Sequence, residues 1–484
     1  MTGSPSARDI WRPGFHLLPP AGWVNDPNGL CQFEGTYHVF CQCSPDWPAL
    51  DATRGWGHLT SRDLVTWEWQ GMALMPDTAD DATGAYSGSA FVGDDGLLHL
   101  VYTGNVKLPG KHDYITSGRL ANQIEVTSAD GEHLSSKRVV LRNADYPSWC
   151  SCHVRDPKVW RQAGTLHMLL GARGLDSEGA ALVYRSDDDG ATWELEEEVR
   201  PGTPGAFGYM WECPDRVSLD GHEYLAFCPQ GLEHGHLRFQ NVYQSGYVPL
   251  EDRLLSADAM AEDGVPLRHV DVDDFREWDL GFDFYAPQTF ATDDGRTVLI
   301  GWAGLPDVPY GNPTGELGWM HCLTVPRELT RGSNGTVCQR PVGELARLRG
   351  NEAPLLDDEV TFEHGRFDLE VTGITASSWK VTLAAASNGS VVLACDDGSL
   401  TLAFDGTAGD GRDVRRAHVG HVDDLRILCD RSIMEVYLDG GATVMTTRWY
   451  PSTSAVRLDV SCGDAETHVW PMADVMSEAL AGTR

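Results

Sequence analysis

The 484-residue chain has no apolar run long enough to cross a bilayer as a helix. Its opening stretch, Met1 to Pro19, has no basic segment followed by an apolar core. No leader is expected there, and the chain is expected to stay in the cytoplasm. Positive charge is scarce: 37 Lys and Arg stand against 71 Asp and Glu, a formal net charge of -34. Such a surface repels nucleic acid and anionic lipid, so neither is expected as a partner and a neutral small-molecule or polymer substrate is. Long amphipathic helices are missing as well, apart from a short helical pattern near the C-terminus. Twelve cysteines are present, yet Cys150, Cys152 and His153 lack the wider spacing and matched second pair of a zinc ribbon or finger. Most cysteines sit in apolar, strand-like runs, which predicts buried reduced thiols, no bound metal and no organic cofactor.

What is present is a repeat. Gly35, Gly96, Gly164, Gly221 and Gly295 each separate two apolar runs, at spacings of 61, 68, 57 and 74 residues. The runs that follow (Tyr37 to Phe40, Leu97 to Tyr102, Leu166 to Leu170, Tyr224 to Phe227, Val298 to Trp302) read as strands leaving hairpins. A unit of about 60 to 70 residues holds four short strands and their loops, the content of one propeller blade. The prediction is an all-β chain that opens with a five-bladed β-propeller over residues 1–345. Residues 346–360, charged and Pro-containing, are the expected linker. Over 361–484, period-two alternation in Phe367 to Val371, Ser390 to Ala394, Leu425 to Cys429, Met434 to Leu438 and Ala455 to Val460 predicts an antiparallel β-sandwich.

In a radial array, equivalent positions of successive units meet around the axis. Counting back eight or nine residues from the first four hairpin glycines gives Asp26, Ser87, Asp156 and Glu212. Three carboxylates from distant parts of the chain are thereby expected in one pocket, an arrangement for acid/base work on a neutral substrate. Singly, each has a plainer reading: Asn25 to Gly29 as a turn, Arg155-Asp156 as a structural ion pair, Glu212 as solvated surface. Their common place in the repeat is what raises them above it.

The same residues carry a resemblance. Trp23 to Gly29, Ser87 to Ala90, Tyr102 to Asn105, Arg155-Asp156-Pro157, Glu212-Cys213-Pro214, Asp283 to Gln288 and Pro326-Arg327-Glu328-Leu329 together are similar to glycoside hydrolase family 32, the invertases and fructan hydrolases. The resemblance implies retaining cleavage of β-fructofuranosides, with Asp26 as nucleophile, Glu212 as acid/base and Asp156 on the fructose hydroxyls as transition-state stabiliser. It further implies Asn25, Gln42, Trp56, Ser87, Arg155, Tyr285 and Trp302 around the sugar. A retaining glycosidase needs two carboxyls about 5 to 5.5 Å apart, one to attack and one to protonate the leaving oxygen. Cys41 and Cys43-Ser44 depart from the family pattern beside the leaving-group subsite.

The expected reaction is release of fructose from sucrose and short β-fructo-oligosaccharides. Competing readings are a sucrose-6-phosphate hydrolase, for which Lys107, Lys111, His112 and Arg119 offer a basic loop, a fructosyltransferase, and a non-catalytic sugar-binding propeller. A dianionic phosphate entering an acidic protein is disfavoured, so sucrose is expected ahead of its 6-phosphate. No pattern in the chain speaks to oligomeric state.

Overall fold

All five hairpin glycines adopt positive φ, between 74° and 91°, with open space where a side chain would stand. At three of them the preceding residue is left-handed too: Glu34 at 49°, Ala163 at 52° and Asp220 at 51°. Two successive positive φ values make a type I′ turn, whose twist matches that of the strands it joins. The sequence repeat is therefore a repeat of tight hairpins.

The computed structural model describes residues 9–49, 53–203, 205, 207–250, 253–261 and 264–476. Each hairpin joins the innermost strand of a sheet to the second. The five inner strands are Gly22–Phe33, Gly84–Val92, Cys150–Gln162, Met210–Leu219 and Tyr285–Ala291, which begin blades I to V. Each packs against the next, and the last packs against the first, closing a five-membered ring. Trp319–Met320 pairs in parallel with Gly22 and Trp23, tying the end of the ring to its beginning. The runs expected after each glycine lie in second strands, from Thr36–Ser44 to Thr297–Trp302, with Leu97 alone falling one residue before its strand. The longest repeat spacing has a physical cause. Between the third and fourth strands of blade IV the chain leaves to add Pro266–Val270 and Ala259–Met260 to the outer edge of blade III.

Beyond the ring, two sheets face each other. One is ordered Glu359–Phe362, Val456–Ser461, Ser378–Ala385, Gly389–Asp396, Ser399–Gly406, Val414–His418. The other is Thr443–Arg448, Ile433–Leu438, Asp424–Asp430, Arg366–Thr372, Glu466–Pro471. Phe367, Leu369, Val381, Leu393, Ile427 and Val436 from both sheets form one buried cluster, as alternation requires of a sandwich. No strand lies between Pro341 and Glu359 among the described residues; of the expected linker 346–360, Glu359 and Val360 already belong to a sandwich strand, and we propose 346–358 as the linker. The C-terminal helical pattern falls largely after Met476, outside the described residues. All twelve cysteines are free thiols, nine of them buried.

The two parts meet through buried charge. Arg327 donates to Glu435 Oε2 through Nε at 3.0 Å and Nη2 at 2.8 Å. Arg412 grips Asp283 with two bonds of 2.7 and 2.8 Å. His16 stands between Asp430 and Glu435, its ring nitrogens 2.8 and 2.9 Å from their carboxylates. Backbone bonds from Leu280 to Val444 and from Asp283 to Thr446 cover the edge of the second sandwich sheet. Asp283 and Arg327, both in the family-like motifs, thus hold the sandwich on the propeller. Held by several charge-assisted bonds, such charges set orientation, whereas removing one partner leaves the other buried and uncompensated.

Candidate active site

The inner strand of every blade breaks its register at the same place. The shifts fall between Val24 and Pro27, Ala85 and Gly88, Arg155 and Lys158, Glu212 and Asp215, and Tyr285 and Gln288. In four of the five a proline stands in the break or at its end: Pro27, Pro157, Pro214 and Pro287. Proline cannot donate to the ladder, so pairing lapses there, and the bulge turns its residues toward the axis. Asp156 at φ 66°, Cys213 at 44° and Ala286 at 45° carry the left-handed backbone this requires.

The residues so presented line one cavity of about 290 Å³, at the small end of ligand-site volumes. Asp26 comes from blade I, Ser87 from II, Arg155 and Asp156 from III, Glu212 from IV, and Tyr285 and Trp302 from V. Asn25 and Gln42 complete the predicted set that reaches the cavity. Trp56 does not reach it. Its side chain is fully buried between blades I and II, packed with Phe40 and Tyr102, and its indole N–H donates to Tyr86 O at 3.0 Å. Trp56 faces Gln42 across a strand pair, and the side chain turns to the core where an aromatic ring of that size is buried.

Hydrogen bonds fix the three carboxylates differently. Ser87 Oγ donates to Asp26 Oδ2 at 2.5 Å, and Asn25 Nδ2 donates to Asp26 Oδ1 at 3.1 Å while also meeting Gln42 Oε1. Asn25 is itself oriented by Trp23 Nε1, at 3.0 Å from its Oδ1. Glu212 accepts from Arg155 Nη2 at 2.6 Å on one oxygen, and from Gln230 at 2.7 Å and Tyr285 at 2.6 Å on the other. Asp156 accepts from the Cys213 backbone N–H at 3.0 Å, and its own N–H donates to Thr103 Oγ1 at 3.0 Å. Burial pushes Asp156 up to about 7, although Arg155 pulls it down; the charge of Glu212 adds to the rise. Burial raises Asp26 as well, while the Ser87 and Asn25 bonds oppose it. The cavity can thus offer a held carboxylate for attack, a second for proton transfer, and a third for hydroxyl contact.

Residue matching follows the same layout. The sequence profile described as the glycosyl hydrolases family 32 N-terminal domain matches residues 16–341, and the one described as the family 32 C terminal matches 366–471. The chain belongs to glycosyl hydrolase family 32. It is 35% identical over 458 residues to the sucrose-6-phosphate hydrolase of Bacillus subtilis (strain 168), covering 92% of this chain and 90% of that one. It is 35% identical to the raffinose invertase of Escherichia coli, with 94% of each chain covered. The solved sucrose-6-phosphate hydrolase of Lactobacillus gasseri superposes with a TM-score of 0.83 at 29% identity, over 97% of this chain and 95% of that one.

Several lining residues escaped the sequence reading: Trp23, Arg54, Tyr86, Gln230, Tyr243 and Asp307. One signal was available for the second strands. Seven residues after Gly35, Gly96 and Gly295 stand Gln42, Thr103 and Trp302, and nine after Gly221 stands Gln230, so that these positions repeat as well. Of the basic loop, only Arg119 lines the cavity. Lys107 lies over the Tyr114 ring at 5.6 Å, and His112 faces Pro109 O at 3.3 Å. His153, set beside the paired cysteines, bridges Arg155 and the Tyr114 carbonyl oxygen at the pocket wall.

Proposed function

We propose that this chain hydrolyses sucrose and short β-fructofuranosides with retention of configuration. The observation that carries the reading is the convergence of Asp26, Asp156 and Glu212, from three blades, on one cavity where each has its own donors. Asp26 attacks the anomeric carbon of the fructosyl unit as the bond to the leaving oxygen breaks and Glu212 delivers a proton to that oxygen. Water, deprotonated by Glu212, then releases fructose from Asp26. Ser87 and Asn25 hold the nucleophile, and Arg155, Gln230 and Tyr285 hold the acid/base. Asp156 meets the sugar hydroxyls, and its charge gains most as the ring becomes cationic. Trp23 and Trp302 present aromatic faces to the sugar. No step calls for a cofactor. The family supports the reaction type, and the sucrose-6-phosphate hydrolases and the raffinose invertase among its relatives support a sucrose-type substrate. Free thiols throughout the chain fit a cytoplasmic location. No helix among the described residues is long and apolar enough to cross a membrane.

The test is quantification of fructose and the partner sugar from sucrose, sucrose 6-phosphate, kestose, inulin and levan. Fructose from the short substrates supports the reading; none from any of them overturns it. Net transfer to a second sugar in place of free fructose would favour the transferase alternative.

A further inference from the structure

His153 stands two residues before Arg155 on the inner strand of blade III, and both of its ring nitrogens are engaged. Nδ1 is 2.6 Å from Arg155 Nη1, and Nε2 is 2.9 Å from the carbonyl oxygen of Tyr114. A guanidinium only donates and a carbonyl only accepts, so the ring is neutral, with its proton on Nε2 and the Nδ1 lone pair turned to Arg155. Burial, and then the charges of Arg155 and Arg119, push the His153 pKa down to about 3, which keeps that lone pair free of a proton. The carbonyl at the other end is fixed as well. Tyr114 lies in the loop between the second and third strands of blade II, Leu98–Lys107 and Arg119–Ser128. Asp113 Oδ1 ties this loop by accepting from the backbone N–H groups of Ile115, Thr116 and Ser117 at 2.9, 2.9 and 3.1 Å. The next carbonyl along, that of Ile115, accepts from Cys152 N at 2.8 Å, so two successive loop residues are bonded to blade III.

Arg155 lies between two carboxylates with different tasks. Its Nη2 donates to Glu212 Oε1 at 2.6 Å, whereas its Nε is 3.7 Å from Asp156 Oδ2, beyond hydrogen-bond reach. A guanidinium free to turn would share its fork between the two, because either carboxylate gains from parallel bonds. His153 removes that freedom. By taking Nη1 it directs Nη2 at Glu212 and leaves Asp156 open to the sugar hydroxyls. The other oxygen of Glu212, Oε2, is held by Gln230 and Tyr285, so the aim of the carboxyl depends on Arg155 at Oε1. Resting on the proposed hydrolysis, we infer that His153 is a positioning residue for the acid/base, acting through Arg155 and anchored by the Tyr114 loop of blade II. The chain of bonds from Tyr114 through His153 and Arg155 carries the placement of a blade II loop to the proton donor on blade IV.

The experiment measures kcat/KM for sucrose and for an aryl fructoside whose leaving group needs no proton, in the wild type, His153→Leu, His153→Asn, Arg155→Ala and the combination of His153→Leu with Arg155→Ala. The ratio of sucrose to aryl fructoside, taken on one preparation, does not depend on how much of that preparation is folded. In His153→Leu the ratio is expected to fall by about 10- to 100-fold, the worth of a hydrogen bond to a charged group. His153→Asn offers Arg155 an oxygen in place of Nδ1 and is expected to recover most of the ratio. In the Arg155→Ala background, His153→Leu is expected to change the ratio no further, because groups that act in series are not additive. Equal losses on both substrates in His153→Leu, no recovery in His153→Asn, or full additivity with Arg155→Ala overturns the positioning role while leaving the hydrolase reading intact. Absence of cleavage of either substrate by the wild type overturns the hydrolase reading, and the positioning role falls with it.

Discussion

Ser87 on blade II donates its hydroxyl to Asp26 Oδ2 on blade I at 2.5 Å, so the residue assigned as nucleophile is held by its neighbouring blade. Burial raises the Asp26 pKa and this bond opposes the rise, because it favours the ionised form. Ser87→Ala should therefore move the acidic limb of the kcat/KM profile upward by about one pH unit, the equivalent of a hydrogen bond to a charged group. A profile unchanged in position would mean that Ser87 does not set the charge of Asp26.

Glu212→Ala should slow cleavage of sucrose by about two to four orders of magnitude, the usual worth of a positioned acid/base. An aryl fructoside whose leaving group needs no proton should lose far less in its first step. Equal losses on both substrates, read from pre-steady-state release, would remove the general-acid role.

Burial pushes the Asp156 carboxyl up to about 7. If its charge is needed for the cationic transition state, activity should fall as pH drops through that region. In Asp156→Asn, kcat should drop more than KM rises, and the part of the acidic limb owed to Asp156 should vanish. A variant with wild-type kcat and only a raised KM would make Asp156 a positioning group.

The clasp between propeller and sandwich gives a stability prediction with a sign. Burial acts to lower the His16 pKa, but the bonds to Asp430 and Glu435 outweigh it and the pKa is raised. Its contribution is complete below the unfolded value of about 6.5 and is lost as pH climbs through the folded value. Burial acts to raise Glu435, yet Arg327 and His16 bring it down to about 2, so its contribution is present above about 4.3 and is lost as pH falls toward 2. His16→Ala should cost about 3 kcal/mol near pH 6, and the difference from wild type should shrink at high pH. Urea unfolding followed at several pH values checks this; a constant difference would deny His16 its charge.

The fold was legible because its signals are local. A glycine between apolar runs marks a tight hairpin, of type I′ at Gly35, Gly164 and Gly221, and the five of them set out the blades without any long-range information. The convergence of Asp26, Ser87, Asp156 and Glu212 on one cavity was legible through the same count, since all four keep their distance from the hairpin. Trp56 was misplaced because the choice between pocket and core for an aromatic residue depends on which neighbour it packs against, and that neighbour, Tyr102, is on another blade. Arg54 had no local signal, because its place on the cavity lining and the action of its charge on Asp26 arise only in the assembled ring.

In the proposed mechanism, fructosyl transfer passes through a covalent bond to Asp26. Glu212→Ala, with deglycosylation slowed, is mixed with an activated fructosyl donor, quenched, digested and read by mass spectrometry. One fructosyl group is expected on the peptide that contains Asp26, absent when Asp26→Ala is combined with Glu212→Ala. A label on Asp156 or another residue, or rapid turnover with inverted product and no label, would contradict it.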